Sequence, residues 1–211
     1  MTAAPMSGRK AQAARNDELI LAAARAVFTA DPSAPISAVA DKAGVGISAL
    51  YRRYGSKEAL LQKLCGDGLK LYIVAAERAL ASTGDPWEAF AQFMKDVVDY
   101  DTNSLTIALA GTFQPTEELY QDATRSGMLG AELFARVSAA GVIRPGVTME
   151  DISVIFEQLA SIKLGDEDRI VQLRHRYLAL LLDALHMPPG TSELPGPAPT
   201  EAELRQRWSS S

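Results

Sequence analysis

Residues 36–57, I-S-A-V-A-D-K-A-G-V-G-I-S-A-L-Y-R-R-Y-G-S-K, decide the fold at the N-terminal end of this 211-residue chain. Three apolar residues at helical spacing predict the buried side of a first short helix: Val39, Ala40 and Ala43. Gly44 then supplies the backbone freedom that a sharp helix-ending turn needs. Because Leu50 and Tyr54 are four residues apart, they share the inward face of a second short helix.

The other side of this second helix carries hydroxyl, aromatic and guanidinium groups. Its residues are Ile47, Ser48, Tyr51 and Arg52, with Arg53 at the edge. Such a face suits a polyanion, and two short helices joined by a tight turn have helix-turn-helix spacing. The stretch therefore predicts a unit that binds DNA through its second helix.

Three sequence blocks at consistent spacing resemble one known family. They are I-L-A-A-A-R-A-V-F at 20–28, V-A-D-K-A-G-V at 39–45 and L-Y-R-R-Y-G-S-K-E-A-L at 50–60. Residues 19–60 resemble the DNA-binding domain of TetR-type (tetracycline-repressor-like) bacterial transcription regulators, and the remainder is only weakly similar. The resemblance implies an all-α fold of about nine helices. It comprises an N-terminal three-helix helix-turn-helix domain and a larger helical domain for ligand binding and dimerisation.

The resemblance also implies a set of DNA contacts: Ser37, Gly46, Ile47, Ser48, Ala49, Tyr51, Arg52, Arg53 and Lys57. Tyr51 and Lys57 match the phosphate-contacting Tyr and Lys of the family, and the two arginines match positions that contact phosphates or base edges. Gly46 departs from the usual Ser or Thr, which removes a hydroxyl contact. Ile47 stands where a polar residue is common, and its side chain can contact a thymine methyl group.

The charge of the chain is unevenly divided. Residues 1–64 contain nine Lys and Arg against five Asp and Glu, whereas residues 65–211 contain twelve against twenty-one. A basic N-terminal part on an acidic body indicates that only the N-terminal part meets nucleic acid. The alternative, a plainly solvated surface, is outweighed because the basic part coincides with the helix-turn-helix.

Composition bounds the class of protein and its location. Hydrophobic residues make up 47% and charged residues 22% of the chain, which is ordinary for a soluble globular protein. No apolar run approaches the length of about 20 residues that crosses a bilayer, and no signal peptide is visible. Cys65 is the only cysteine, which excludes an internal disulfide and fits a reducing compartment. We therefore expect a cytoplasmic protein.

Helical periodicity, caps and breakers divide the chain into four parts. We predict a flexible arm at 1–14, the helix-turn-helix domain at 15–56, an effector-binding and dimerisation domain at 57–187, and a Pro-rich tail at 188–211. The first helix is predicted to begin at Asn16 or Asp17 and to end at Ala30. Later helices are predicted at 57–81, 86–101, 104–113, 115–141, 148–165 and 166–187, with a short helical segment at 200–208.

The second domain carries the candidate ligand and dimer contacts. The family binds small effectors there, and the aromatic and Met residues proposed to line the pocket are Trp87, Phe90, Phe93, Met94, Phe113, Tyr120, Met128 and Phe134. For any single one of them, ordinary core packing is the simpler explanation. The C-terminal helices of the family form its dimer, which suggests the interface residues Ile155, Phe156, Leu159, Ile162, Tyr177 and Leu181. Intramolecular packing is the alternative for these residues.

Catalysis finds little support in the sequence. His175 and His186 are eleven residues apart and lack a metal-binding context, and no dinucleotide or phosphate-binding loop occurs. We therefore expect no enzyme activity, no cofactor and no metal. The predicted function is a homodimeric repressor that a small-molecule effector releases from a near-palindromic DNA operator. An activator would share every residue, and an all-α small-molecule binder or enzyme with a vestigial helix-turn-helix is the alternative of another class.

Overall fold

The computed structural model describes residues 8–101, 105, 109, 111–186 and 193–206. Within these ranges the chain forms nine α-helices and, apart from a single bridge between Ile143 and His186, no β-structure. The helices are α1 (Gly8–Ala30), α2 (Ile36–Ala43), α3 (Ile47–Tyr54), α4 (Lys57–Ala81), α5 (Pro86–Asp99), α6 (Glu117–Ala139), α7 (Met149–Ala160), α8 (Glu167–Leu185) and α9 (Glu201–Gln206). The predicted all-α fold is confirmed.

Local signals located several helix ends correctly. Helix α4 has its predicted bounds, and its N-cap Ser56 accepts a hydrogen bond from the backbone N–H of Ala59 at 3.0 Å. Helix α7 begins behind a reciprocal capping box formed by Thr148 and Asp151. The short tail helix α9 has the same kind of cap, because Thr200 and Glu203 exchange hydrogen bonds. Of the predicted helix at 104–113, the structure describes Leu105 and Leu109, both helical, and most of the rest lies outside the described residues.

The start of α1 differs from the prediction. The helix begins at Gly8, about two turns before Asn16, so that the second half of the predicted arm is helical. Residues 10–15 read K-A-Q-A-A-R, and all of these residue types have high helix propensity. These residues lack an apolar stripe, so hydrophobic periodicity did not predict that they are helical. Their high helix propensity nevertheless continues a helix whose later turns are packed against the core.

One hydrophobic cluster lies under the three N-terminal helices and the first half of α4; we call this part of the molecule the reading head. Its fully buried side chains include Phe28, Val39, Leu50, Leu60 and Leu64. Three leucines from further along the chain complete the same cluster: Leu105, Leu109 and Leu119. The reading head therefore shares its core with the remainder of the chain, which we call the body.

A second cluster forms the centre of the body. Helix α5 lies at its middle and contributes Phe90, Phe93 and Met94, none of which is more than 1% exposed. Around it pack alanines of α4 and apolar residues of α6, α7 and α8, including Leu133, Ile152 and Leu178. The aromatic rings meet edge-on or tilted, as Phe93 does with Tyr72 at a centroid distance of 5.1 Å.

Helices α4 and α6 approach each other closely at Gly130. A Cβ atom at this position would lie 2.5 Å from the hydroxyl oxygen of Tyr72 and 3.1 Å from the Cε of Met149. Tyr72 packs against the body core with its ring edge-on to Phe93, and burial raises the pKa of its hydroxyl. Gly130 therefore leaves room for the Tyr72 hydroxyl between the two helices.

Substitution Gly130→Ala should lower the free energy of unfolding by about 1–3 kcal/mol, the usual cost of overpacking a core. Gly127→Ala is the matched control on the same helix, since nothing lies within 4 Å of its added Cβ. It should instead stabilise the protein by about 0.5–1 kcal/mol through helix propensity. Adding Tyr72→Phe to Gly130→Ala should recover most of the loss; urea unfolding followed by circular dichroism measures all three. Equal effects of the two alanines would contradict the close crossing.

Candidate nucleic-acid interface

The turn between α2 and α3 fixes the orientation of the candidate recognition helix. Gly44 ends α2 in the left-handed conformation, with φ 65° and ψ 31°. The next residue, Val45, donates its backbone N–H to the carbonyl of Ala40 at 3.0 Å. Helix α3 then lies on the reading-head core through Leu50, which is fully buried. The predicted helix-turn-helix is present in the structure.

The opposite face of α3 is exposed. Ile47 is 42% and Tyr51 46% exposed, which is unusual for large apolar and aromatic side chains. Gly46, Ser48 and Arg52 are also exposed, whereas Ala49 and, on α2, Ser37 are half-buried. Among the described residues no side chain forms an ion pair with Arg52. The structure thus brings most of the predicted DNA contacts onto one surface.

Arg53 is also exposed, but its guanidinium binds Asp17 of α1. Its Nε donates to the two carboxylate oxygens at 2.7 and 2.9 Å, and its Nη2 donates to the same group. The hydroxyl of Tyr54 donates to Asp17 Oδ1 at 3.4 Å. The hydrogen bond from Arg53 is the main reason that the pKa of Asp17 lies below its ordinary value. Burial and the Asp17 charge raise the pKa of Tyr54 to about 12.

Asp17 is a residue in contact with α3 that the sequence analysis missed. The sequence analysis named it only as a possible first residue of α1. Since α1 begins at Gly8, Asp17 instead lies in the middle of the helix. Its partner is 36 residues away in the sequence, and no local pattern identifies such a pair.

Lys57 is used within the reading head. Its ammonium donates to the carbonyl oxygens of Pro32 at 3.0 Å and Ala34 at 2.7 Å, and lies 5.1 Å from the ring centroid of Phe28. These contacts hold the loop between α1 and α2 against the start of α4. The first backbone N–H groups of α4 still lack intrahelical acceptors, so that this helix end remains suited to a phosphate.

The predicted pocket residues are divided among three environments. Five of them pack in or against the body core: Trp87, Phe90, Phe93, Met94 and Phe134. Phe113 packs against the reading-head core, and Tyr120 and Met128 are 64% and 69% exposed on α6. A cavity at the edge of the body core, between Val97 and Arg174, has a volume of about 10 Å³, enough for one water molecule at most. The structure therefore does not bring the eight residues into one pocket.

The predicted dimer residues are divided as well. Phe156 and Leu159 are 4% and 2% exposed and pack inside their own chain, as the intramolecular alternative expected. Ile155, Ile162 and Leu181 are half-buried, and Tyr177 is 46% exposed. Leu180, which was not predicted, is 56% exposed three residues after Tyr177. An apolar surface on α8 thus remains uncovered.

Among the described residues, four hydrogen bonds that involve a side chain connect the reading head to the body. On one side, Arg25 donates to the carbonyl of Tyr100 at 3.5 Å, and Lys163 donates to the carbonyl of Thr29 at 3.4 Å. On the other, Gln62 of α4 donates to the carbonyl of Gln114, whose own N–H donates to Glu58. An open cleft of about 410 Å³ lies at this second contact, lined by Pro32, Lys57, Glu58, Leu61 and residues 111–114.

Other chemistry has little support in the structure. Burial raises the pKa of the Cys65 thiol to about 12, so that it stays protonated and weakly nucleophilic at neutral pH. Across the described ranges no three His, Cys, Asp or Glu residues are arranged to hold a metal ion. None of the described helices is both long and apolar enough to cross a membrane.

The fold and the exposed face of α3 define a helix-turn-helix DNA-binding protein. Residues 20–64 match the family of bacterial regulatory proteins named tetR. No curated protein sequence matches the chain. This match places residues 20–64 in the tetR family of bacterial regulatory proteins, and the solved structures described next share the fold of the longer chain.

Solved structures of TetR regulators share the fold over most of the chain. A TetR regulatory protein from Mycobacterium vanbaalenii is 26% identical, with a TM-score of 0.54 over 84% of this chain and 99% of that one. LfrR from Mycobacterium smegmatis, solved with proflavine, is 23% identical, with a TM-score of 0.56 over 86% and 99%. The ketosteroid regulator KstR2 from Mycobacterium tuberculosis is 18% identical, with a TM-score of 0.61 over 82% and 96%.

The contacts of Lys57 predict a stabilising role that is separate from any DNA contact. Lys57→Met keeps the apolar stem but loses two charge-assisted hydrogen bonds, and should lower the free energy of unfolding by about 1–3 kcal/mol. Lys63→Met is the control, because Lys63 only pairs with Asp67 on the surface of the same helix. It should change stability by less than about 0.5 kcal/mol. If thermal and urea unfolding gave the two variants equal stability, the internal role of Lys57 would be refuted.

Proposed function

We propose that the protein is a homodimeric transcriptional repressor that a small molecule releases from a near-palindromic operator. The observation that carries this proposal is the exposed face of α3. It combines an apolar residue, a phenol and a guanidinium group on a helix short enough to enter one major groove. Gly46, Ile47, Ser48 and Ala49 form the N-terminal end that approaches the bases. Tyr51 and Arg52 are suited to phosphates and base edges.

The starts of α4 and α2 supply the flanking contacts. The N-terminus of α4 offers backbone N–H groups and positive helix-dipole charge to a phosphate beside the groove. Ser37, half-buried in the first turn of α2, places a hydroxyl at the other side of the motif. The ammonium of Lys57 reaches DNA only by leaving the carbonyls of Pro32 and Ala34, or acts by adding long-range positive potential.

Dimerisation through α8 is supported by its uncovered apolar surface. Tyr177, Leu180 and Leu181 lie within two turns of one another, and the first two are about half exposed. A second copy of this helix would remove these side chains from water, at about 25 cal/mol per Å² of apolar surface. Two recognition helices so joined must then match half-sites about 34–36 Å apart, which favours a near-palindromic operator.

The dimer releases its operator if an effector binds more tightly to a state in which the two reading heads are a different distance apart. The body core is tightly packed around Phe90 and Phe93, so a ligand can enter there only by displacing packed side chains. The hydrogen bonds at Tyr100, Gln114 and Thr29 would carry this displacement to the reading head. The effector lowers operator affinity only in proportion to its differential affinity for the two states. LfrR binds proflavine, which makes cationic aromatic dyes a first set of compounds to test.

DNA recognition is tested by fluorescence anisotropy with DNA from upstream of the gene and a scrambled duplex, each at two salt concentrations. Tyr51→Ala and Arg52→Ala should each weaken operator binding at least tenfold, since a good base or phosphate contact contributes about 1–3 kcal/mol. Arg205→Ala is the control, because it removes the same charge from α9, where Arg205 pairs with Glu201. Weak binding that is equal on both duplexes would favour a small-molecule binder with a vestigial helix-turn-helix.

Dimerisation is tested by analytical ultracentrifugation of Leu180→Glu. A carboxylate in an apolar helix interface should dissociate the dimer and lower operator affinity by more than tenfold, because both half-sites are then bound independently. Val74→Glu is the matched control: Val74 is 55% exposed on α4, against 56% for Leu180 on α8. A wild-type monomer would contradict the homodimer, and dissociation by Val74→Glu but not by Leu180→Glu would place the interface on α4.

A further inference from the structure

We propose that Asp17 holds Arg53 away from DNA, so that α3 presents one of its two adjacent arginines to the phosphates and not both. This inference rests on the proposed DNA-binding function and revises the role expected for Arg53. Asp17 would thereby determine specificity, because it limits the affinity that is independent of base sequence. Arg53 becomes a positioning residue that joins the recognition helix to α1.

Asp17 and Arg53 form a side-on ion pair with several hydrogen bonds. The carboxylate of Asp17 lies against the Nε–Nη2 edge of the guanidinium, with distances of 2.7 and 2.9 Å from Nε to its two oxygens. This side-on arrangement uses the planar fork of arginine, and such pairs are stronger than single-point contacts. The side chains of Asp17 and Arg53 are 24% and 61% exposed, so the pair lies at the protein surface and is defined by its geometry and not by burial. The hydroxyl of Tyr54 adds a further donor from the same end of α3.

The position of Arg53 on α3 separates it from the DNA-facing surface. With about 100° between successive residues of a helix, Arg53 lies about 60° from the buried Leu50, on the flank towards α1. Arg52 lies about 160° from Leu50, close to the centre of the exposed face. The two neighbouring arginines therefore have different surroundings: Arg52 has solvent, and Arg53 has a carboxylate from another helix.

The electrostatic consequence for DNA binding has a definite sign. A phosphate near Arg53 also meets the negative charge of Asp17, so that the pair contributes little net attraction. Asp17→Asn keeps the size and shape of the side chain but removes that charge and weakens its hold on the guanidinium. The released Arg53, on a long flexible stem, can then reach a backbone phosphate. This adds affinity for every sequence equally and so reduces discrimination.

The experiment measures the salt dependence of binding to a scrambled duplex, for which no operator need be known. The logarithm of the binding constant falls as the logarithm of the salt concentration rises. Each phosphate that a protein cation neutralises adds about 0.9 to the magnitude of this slope, which is the quantity compared below. Arg52→Ala should lower this slope by about 0.9, whereas Arg53→Ala should leave it unchanged. Asp17→Asn should raise the slope by about 0.9 and strengthen binding to scrambled DNA several-fold at low salt. The double variant Asp17→Asn/Arg53→Ala should lose this gain.

A purely structural tie between α1 and α3 would give other results. If the pair only ties the helices, Asp17→Asn and Arg53→Ala should each bind scrambled DNA more weakly than the wild type. Circular dichroism would show whether each variant is folded. The proposal is overturned if Arg53→Ala lowers the slope as Arg52→Ala does, or if folded Asp17→Asn shows no gain on scrambled DNA. Failure of the wild type to prefer upstream DNA would count against the repressor function instead, because the slopes of the variants on scrambled DNA are compared only with one another.

Discussion

The burial of Leu50 against the reading-head core is the interaction on which the DNA-binding surface depends. Helix α3 has eight residues, and a helix of that length is not stable by itself in water. Its conformation and its direction therefore come from packing on Phe28, Val39 and Leu60. Because Leu50 fixes which face is buried, it also fixes that Tyr51 and Arg52 face outward. The chemistry of the site is thus a consequence of one apolar contact and a glycine-ended turn.

In the same region, the net charge overstates the number of cations that are available to DNA phosphates. Residues 1–64 are the basic part of the chain, yet several of their cations already have partners within the protein, and three of these partners lie on other helices or loops. Lys57 holds the loop carbonyls at Pro32 and Ala34, Arg53 holds Asp17, and Arg25 reaches the body. Each of these cations stabilises the arrangement of helices before any ligand binds. The charge available to phosphates is consequently smaller and more localised than the composition suggests.

The sequence predicted those features that short-range physics controls. The bounds of α4 and the cap of α7 follow from Ser56 and from the Thr148–Asp151 pair, which act within one helical turn. The direction of apolar side chains was less predictable. Phe156 is buried in its own chain and Met128 is exposed, although both belong to apolar stripes of similar spacing. Which stripe is covered depends on helices that are distant in the sequence, and long-range pairs such as Asp17 and Arg53 are hidden for the same reason.

The connection between the body and the reading head is built around the end of α5. Arg174 of α8 is 8% exposed; its Nη1 lies 2.6 Å from Asp101 Oδ1, and its Nη2 donates to the carbonyl of Ala160 at 3.1 Å. Asp101 has a φ of 48° and directly follows Tyr100, whose carbonyl accepts from Arg25 of α1. A buried guanidinium cannot lose its acceptors cheaply, so Arg174 ties α8, the end of α7 and the segment after α5 to one another. Through Tyr100 the same segment contacts Arg25 of α1, the helix that also carries Asp17. A series of contacts thus runs from the helix with the uncovered apolar surface to the helix that holds Arg53.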